Sequence, residues 1–566
     1  MCGIWLTIGI RNQAFDNYQS CLKALHARGP EDHRLVDISG VAMFGFTRLA
    51  INGLNPEGMQ PMNKNGQLWW MCNGEIYNWR QLAIDYGIST QSGSDCEVLG
   101  ELFEKVVVPG TDPSVFFRLL DGVFALAILD LRNNTLLLGR DPYGIRPLFI
   151  GQRYGFAPRQ TSTFEMFVCN IMAASEVKAL VPQCTTVHAL EPGTFDVYDI
   201  KTMNKVFSKR YHTIPFLKNP MFHPSVENGI DYASMALRKA LESAVQKRML
   251  TERPVAALLS GGIDSSLIAS LVAKELRKAG APPLKTFSVG MLGSQDLFYA
   301  RKVAEWIGSE HHEIILTAEQ FFAAIPHVVG AIESFDTTTV RASVGNWLVA
   351  KAVREKSDCK VVFNGDGSDE VFGSYLYFYN APHNSAYEEE VTRLLSEISM
   401  FDVLRSDRSI SSHGLEARTP FLDKQFVAVA RSICTQWLRP LRGTQVEKWM
   451  LRRAFDDGVT LPRDVLWRRK EAFSDGVSSS EKSWYEIIQE KASTLVPPDW
   501  KERASKNYTH LTPQTPEQYL YRFYFEGEFG KSACTTIPHF WMPRWTPGAT
   551  DPSARTLAVY SETTPS

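Results

Sequence analysis

One feature constrains the fold more than any other: an apolar strand that ends in a glycine turn and continues into a helix. In VAALLSGGIDSSLIASLVAKELRKAG, residues 255–280, the strand closes at Leu259, then come Ser260, Gly261 and Gly262. The helix opens through Asp264, Ser265 and Ser266. Small residues let backbone N–H groups approach an anion, and the helix start adds free donors and a positive dipole end. No lysine follows the glycines, so this is not a Walker loop. A carboxylate such as Asp264 suits a phosphate loop if a divalent cation lies between it and the phosphate oxygens. The plainer alternative is a Ser/Asp helix cap after a glycine turn.

A second stretch of the same kind favours the phosphate reading. VVFNGDGSDEVFGSYLYF, residues 361–378, again ends a strand in a glycine turn and carries Asp366, Asp369 and Glu370. In open α/β sheets, ligands sit at the carboxyl ends of strands, so two such loops can face one nucleotide. From about residue 230 onward, apolar runs alternate with helical stretches, which predicts a parallel sheet with crossover helices.

Residues 1 to about 210 have a different texture. Short β-like runs such as CGIWLTIGI, GVAMFGFTRLAI, GQLWWMCNGEI, GVFALAILDL and NTLLLGRD are separated by Gly, Asn and Asp turns. Helical stretches such as CEVLGELFEKVV lie between them, giving an α+β layered pattern with antiparallel pairing. YHTIPFLKNPMFHPSVENG, with three prolines, reads as a linker. The predicted organisation is a domain over 1–210, a second over 211–540, and a mobile, small and polar tail over 541–566. APRQTSTFEMFVCNIMAASEVKAL, residues 157–180, reads as containing a loop insertion.

At 566 residues the chain is too long for a single core. A formal net charge of −2 gives no reason to expect nucleic acid or an anionic membrane as partner. Nine cysteines are sparse and odd in number, which suits a reducing, cytoplasmic compartment. No apolar run is long enough to span a bilayer, and the MCGIWLTIGIRNQ start lacks the basic leader of a secretory signal. His311–Glu313 lacks a second ligand pair at useful spacing and is expected to enter a strand.

The chain begins MCGIW. Once Met1 is removed, Cys2 is a thiol nucleophile with a built-in base, its own α-amine, whose unperturbed pKa is about 7.7–8.0. Position alone does not separate this from an idle terminal cysteine.

Taken together, MCGI, RLAI, NGEIYN, SGSDCE, SGGIDSS, GDGSDE, HGLEARTPFLD, KEAFSDG and DPSARTL resemble the glutamine-hydrolysing asparagine synthetases over nearly the whole chain. The first part is similar to class II glutamine amidotransferases, which implies an N-terminal-nucleophile αββα sandwich as the glutaminase domain. The second is similar to the pyrophosphate-loop ATP-binding fold, an α/β synthetase domain. The resemblance implies that Cys2 attacks the side-chain amide of glutamine, gives a glutamyl thioester and releases ammonia. Asn73 and Gly74 match the oxyanion hole. Arg48, followed by Leu49, Ala50, Ile51 and Asn52, matches the carboxylate end of the glutamine site. Glu75 and Asp95 match the ammonium end.

In the second part the resemblance implies adenylation of aspartate to β-aspartyl-AMP with release of pyrophosphate. Ser260, Gly261, Gly262, Asp264, Ser265 and Ser266 match the phosphate loop, and Leu259, Val289, Asn364 and Gly365 the adenosine site. Asp264 and Asp369 match acids that hold Mg²⁺ with the phosphates. Lys470 matches a lysine that neutralises charge on them, and Thr338, Thr339 and Arg341 match the aspartate site. Arg418 is read as a structural ion pair. A homodimer and an internal ammonia tunnel are further expectations of the resemblance.

The chain departs from its relatives in one informative place. They carry Gly-Glu-Gly-Ser-Asp-Glu where it reads Gly-Asp-Gly-Ser-Asp-Glu, so Asp366 replaces a glutamate taken to deprotonate ammonia. The reach is shorter by one methylene, and a misplacement of about 1 Å can cost roughly 10²-fold in rate. Two other readings follow: the same machinery acting on a different carboxylate, or a non-catalytic descendant. Cys2, Arg48, Asn73, Asp95, Asp264, Asp369 and Lys470 are all present, which opposes the latter.

Overall fold

In the computed structural model the chain divides into two compact units. Met1–Thr213, Ser411–Leu415 and Phe525–Pro538 form the first. Ile214–Ile410, Glu416–Tyr524 and the described residues from His539 onward form the second. The structure describes residues 1–9, 15–158, 164–215, 220–468, 470, 476–478 and 482–553.

The first unit is built on β1 (Gly3–Gly9), β2 (Asp32–Ile38), β3 (Ala42–Arg48), β4 (Met62–Lys64), β5 (Leu68–Ile76) and β6 (Gly122–Asp130). It continues with β7 (Thr135–Arg140), β8 (Phe149–Pro158), β9 (Phe164–Ala174), β10 (Thr186–Ala189), β11 (Thr194–Asp199) and β12 (Lys205–Arg210). They pair antiparallel into two six-stranded sheets, β10-β8-β9-β1-β3-β2 and β12-β11-β7-β6-β5-β4. Strand period explains how one strand serves two layers. Along β6, Ala125, Ala127 and Leu129 enter the core shared by the two sheets. On the other face, Phe124 stacks with Phe117 of the helix Ser114–Leu119. On the opposite side of the sandwich, Trp5 of β1 meets Tyr18 of the helix Phe15–Lys23, with ring centroids 5.4 Å apart. The layers run helix, sheet, sheet, helix, and β6 is apolar on both faces because both are covered.

The stretch read as a loop insertion is instead largely strand. Its residues 164–174 form β9, which pairs with β8 from Phe149↔Ala174 to Pro158↔Phe164 and with β1 on its other side. The ladders satisfy backbone groups that a loop would have to leave to water. Residues 159–163 lie outside the described residues.

The second unit holds an all-parallel sheet, from β13 (Val255–Leu258), β14 (Lys285–Gly290), β15 (Glu310–Ile315), β16 (Val361–Phe363) and β17 (Glu416–Arg418), in the order β15-β14-β13-β16-β17. From β13 the chain builds outward through β14 and β15, then returns to add β16 and β17 on the other side. The carboxyl ends of β13 and β16 therefore flank the point where strand order reverses, which is where such sheets bind ligands. His311 lies within β15, bonded to Thr286 at 2.9 Å and Ser288 at 3.2 Å. Arg418 pairs with Glu416 at 2.6 Å inside the core. Among the described residues, no helix is long and apolar enough to cross a membrane.

The tail is fastened over its described part. The backbone N–H of Trp541 donates to Asp336 at 2.8 Å, and Arg341 grips Asp551 at 2.7 and 2.9 Å. These two contacts fall in the described part of the stretch whose small, polar composition suggested mobility. Residues 554–566 lie outside the described residues.

Candidate active sites

In the first unit, β1 delivers Cys2 beside the end of β3. The Cys2 thiol donates to the carbonyl of Leu49 at 3.5 Å. The Cys2 carbonyl accepts from Arg28 Nε at 3.0 Å, and Arg28 is in turn held by Glu176 at 2.9 Å and Ser411 at 3.0 Å. Arg28 is fully buried, and it fixes the backbone behind the thiol. Sequence reasoning did not single it out, because its partners Glu176 and Ser411 are 148 and 383 residues away.

Asn73 lies on β5, fully buried, and neither polar atom of its side-chain amide has a hydrogen-bond partner. Leaving such a group unpaired costs about 1–3 kcal/mol, so an arrangement of this kind is retained where a ligand completes it. Gly74 follows, packed so closely on β6 that a Cβ would sit 2.0 Å from the Val123 carbonyl oxygen. Arg48 donates to Asn55 at 2.9 Å and Gly53 at 2.5 Å, both backbone carbonyls. Asn52 donates to Glu75 at 2.7 Å, and the Ala50 N–H donates to Glu31 at 2.8 Å. Asp95 accepts from the Ile76 N–H at 2.6 Å. Leu49 and Ile51 are buried beside them. Apart from Cys2, the residues expected here lie on loop 48–53, on strand β5 and at Asp95, joined by these hydrogen bonds except at the Asn73 side chain.

In the second unit, a cavity of about 270 Å³ opens at the ends of β13 and β16. Leu259, Val289, Asn364 and Gly365 line it, as do Ser260, Gly262, Asp264 and Ser265. Gly261 and Ser266 do not: Gly261 makes the turn with φ +72°, and Ser266 is buried within the helix behind. Gly365 abuts the first loop, where a Cβ would lie 2.7 Å from the Ser265 nitrogen. Thr338 and Thr339 line the cavity. Arg341 is not among the lining residues, and its guanidinium is committed to Glu517 and Asp551.

The charged end of the cavity is organised by two lysines. Lys448 Nζ lies 2.5 Å from Asp264 and 2.7 Å from Asp369, and Lys470 Nζ lies 2.5 Å from Asp369. Burial opposes ionisation of Asp369, but Lys448 and Lys470 outweigh it and hold the carboxyl far below the usual range. Burial likewise opposes the Lys448 charge, and Asp264 with Asp369 outweigh it and raise the ammonium pKa. Sequence reasoning missed Lys448, because a lysine at the head of an amphipathic helix ordinarily points to solvent. Residues 471–475 of KEAFSDG lie outside the described residues.

The donor set suits Mg²⁺. Asp264 and Asp369 supply two carboxylates, and the Oδ1 of Asp264 is buried with no hydrogen-bond partner. No group of three or more metal-binding side chains exists among the described residues. Mg²⁺ commonly takes only one or two carboxylates and completes its shell with phosphate oxygens and water.

Asp366 also lines the cavity, 3.6 Å from Arg405, which lies 3.0 Å from Asp402. Burial pushes the Asp366 carboxyl above its ordinary value against the pull of Arg405. Burial, then Asp402 and Asp369, push Glu370 up as well. Together the cavity brings a glycine turn, two lysines and several carboxylates to the ends of β13 and β16. Asp366 and Glu370, on the same loop as Asp369, can each hold a proton there.

Comparison with known proteins agrees with both halves. A family model described as "Asparagine synthase" matches residues 236–397 and 384–546. One described as "Glutamine amidotransferase domain" matches residues 1–246. The chain is 40% identical over 580 residues to an "Asparagine synthetase [glutamine-hydrolyzing]" of Gallus gallus, covering 99% of each chain. The protein of that name in Rattus norvegicus is 40% identical over 583 residues, with 100% of each chain covered. That of Homo sapiens is 39% identical over 577 residues, with 99% of each covered.

Proposed function

For a chain that belongs to the glutamine-hydrolysing asparagine synthetase family, we propose the following division of labour between its two units. The reaction is ATP-dependent conversion of L-aspartate and L-glutamine into L-asparagine, L-glutamate, AMP and pyrophosphate, through β-aspartyl-AMP. Ammonia passes from the first site to the second.

In the first site Cys2, freed of Met1, attacks the glutamine side-chain amide. Its α-amine takes the thiol proton and returns it to the departing ammonia. The developing oxyanion receives a hydrogen bond from the Asn73 side chain and the Gly74 N–H. The observation that carries this assignment is the buried, unpartnered Asn73 amide. Arg48 receives the glutamine carboxylate, while Asp95 and Glu75 face its ammonium. Leu49, Ala50, Ile51 and Asn52 shape the rest of that pocket.

In the second site Ser260, Gly262 and Ser265 hold the ATP phosphates, with Gly261 shaping the turn and Ser266 supporting it from within the helix. Leu259, Val289, Asn364 and Gly365 hold the adenosine. The aspartate β-carboxylate attacks the α-phosphate, and negative charge accumulates on the departing pyrophosphate. Lys448 and Lys470 neutralise it where it develops. Asp264 and Asp369 would hold Mg²⁺, which would supply further positive charge where the pyrophosphate departs. Asp366 takes a proton from ammonia as it attacks the acyl-adenylate, its raised carboxyl pKa being suited to a base. Thr338 and Thr339 face the amino-acid end, and the Thr338 hydroxyl is buried without a partner there. Arg341 serves that end from behind the wall. We further propose a cytoplasmic homodimer, from the family resemblance and the sparse cysteines.

The test is product analysis with ATP, Mg²⁺, aspartate and either glutamine or ammonium. Asparagine and pyrophosphate from both nitrogen sources support the reading. Glutamate release without asparagine or pyrophosphate leaves the Cys2 site standing and overturns the aspartate assignment.

A further inference from the structure

The cavity of the second unit has one wall that belongs neither to the sheet nor to its loops. Trp541 comes from the segment that sequence composition reads as a tail, yet its side chain lines the cavity and is only 7% exposed. Its indole meets Tyr375 edge-on, with centroids 5.7 Å apart, and Tyr377 at 6.2 Å. Tyr375 also lines the cavity, close to Glu370 and Asp402. The nucleotide end is already accounted for by the loops after β13 and β16. Asp336 accepts from both the Thr339 N–H and the Trp541 N–H, which sets Trp541 beside the helix start that carries Thr338 and Thr339, the residues read as the acceptor end.

Two fastenings hold this wall, and both reach the same helix, Thr337–Lys356. Asp336 caps that helix by accepting from the Thr339 N–H at 2.9 Å and the Thr339 hydroxyl at 2.7 Å. Its other oxygen accepts from the Trp541 N–H at 2.8 Å. Ten residues further along the chain, Asp551 makes a two-pronged pair with Arg341 at 2.7 and 2.9 Å. Arg341 is also held by Glu517, which is fully buried and accepts from Tyr521 at 2.8 Å. A planar guanidinium held on two sides by carboxylates fixes position as well as charge. The helix start that presents Thr338 and Thr339 is thus tied to Trp541 at one point and to Asp551 at another.

We propose that Trp541 is a specificity-determining wall of the acceptor site and that the Arg341–Asp551 pair is the latch that positions it. This rests on the asparagine synthetase reading of the cavity. The indole closes the site to an acceptor longer than a four-carbon dicarboxylic amino acid. Arg341 and Asp551 are positioning residues: they act on the substrate through Trp541 and the helix start.

The test uses the full chain with ATP, Mg²⁺ and ammonium, aspartate or glutamate being the acceptor, and pyrophosphate the readout. Wild-type failure with aspartate would overturn the functional reading itself. Given wild-type activity, W541A is expected to lower the preference for aspartate over glutamate by about ten-fold or more, one methylene in a pocket being worth about 10–200-fold. W541F is expected to keep most of it. D551N is expected to raise the KM for aspartate with the KM for ATP unchanged, and D551E to restore it in part. Wild-type acceptor preference in W541A, or an unchanged aspartate KM in D551N, overturns the proposal. Should these variants misfold, amide exchange of the wild type decides. Aspartate with a non-hydrolysable ATP analogue is expected to slow exchange over residues 539–551. Unchanged exchange there, with slowing at 364–370, overturns it.

Discussion

Lys448 Nζ lies 2.5 Å from Asp264 Oδ2, a buried ammonium set against the acid of the phosphate loop. Because Asp369 lies at 2.7 Å from the same nitrogen, one lysine links the loops after β13 and β16. Lys448→Met is expected to lower pyrophosphate formation by about 10²–10³-fold while sparing glutamine hydrolysis. It also leaves Asp264 without its lysine and Asp369 with Lys470 alone, which lowers stability. Added Mg²⁺ should raise the melting temperature of this variant more than that of the wild type. Calorimetry with and without Mg²⁺ checks this.

Asn73→Ala separates the two sites. The native amide has no intramolecular partner to lose. Thermal stability is expected to be unchanged or slightly raised, while glutamine hydrolysis falls about 10²–10³-fold. Ammonia-dependent synthesis should be untouched. Loss of stability equal to an ordinary buried hydrogen bond would show that Asn73 is structural.

The amino terminus makes a prediction about processing. The intact mass of active protein is expected to lack one methionine residue. A preparation carrying an uncleaved amino-terminal tag should keep ammonia-dependent synthesis and lose the glutamine-dependent reaction, since Cys2 then has no free α-amine. Equal activity with glutamine in both preparations would remove the terminal amine from the mechanism.

Asp366 tests the departure from relatives. Asp366→Asn is expected to suppress asparagine formation from both nitrogen sources, with pyrophosphate release less affected, because only the ammonia step needs the base. Asp366→Glu keeps the acid and should retain measurable synthesis. If Asn supports synthesis as well as Asp does, another group takes the proton.

Asp423 links stability to pH. It caps the helix Lys424–Arg431 and pairs with Arg248 and Lys247, each at 2.8 Å. Burial opposes its ionisation, but the two cations outweigh this and hold its pKa at about 2. The unfolded value is about 3.9, so the folded pKa is depressed. The contribution, about 2 kcal/mol, is therefore complete above pH ~4 and lost as pH falls toward ~2. Urea midpoints of wild type and Asp423→Asn should differ most near neutrality and converge in acid. A constant difference across that range would contradict the assignment.

Much of this protein was legible in its sequence because the decisive signals are local. A glycine turn between a strand and a helix must place N–H groups at the strand end, so SGGIDSS and GDGSDE pointed to the strand ends where the cavity lies. Alternating and continuous apolar runs announced the antiparallel and parallel sheets. The residues of RLAI, NGEIYN and SGSDCE were legible as motifs, although the contacts that join them, Asn52 to Glu75 and Ile76 to Asp95, span 23 and 19 residues.

What tertiary structure alone decided is where distant charges meet. Lys448 is 184 residues from Asp264, and Arg341 is 210 residues from Asp551. No local pattern marks either pair, because a lysine before a helix and an aspartate in a polar stretch are each most stable in water when considered alone. Only packing brings them out of water together, and there each needs the other. The same holds for β9, which looked like an insertion until β8 and β1 supplied its hydrogen bonds, and for Trp541, whose place in the cavity depends on a segment fastened far from it in sequence. Sequence determined the chemistry the chain carries; the fold determined which charges share a site and which side chains wall it.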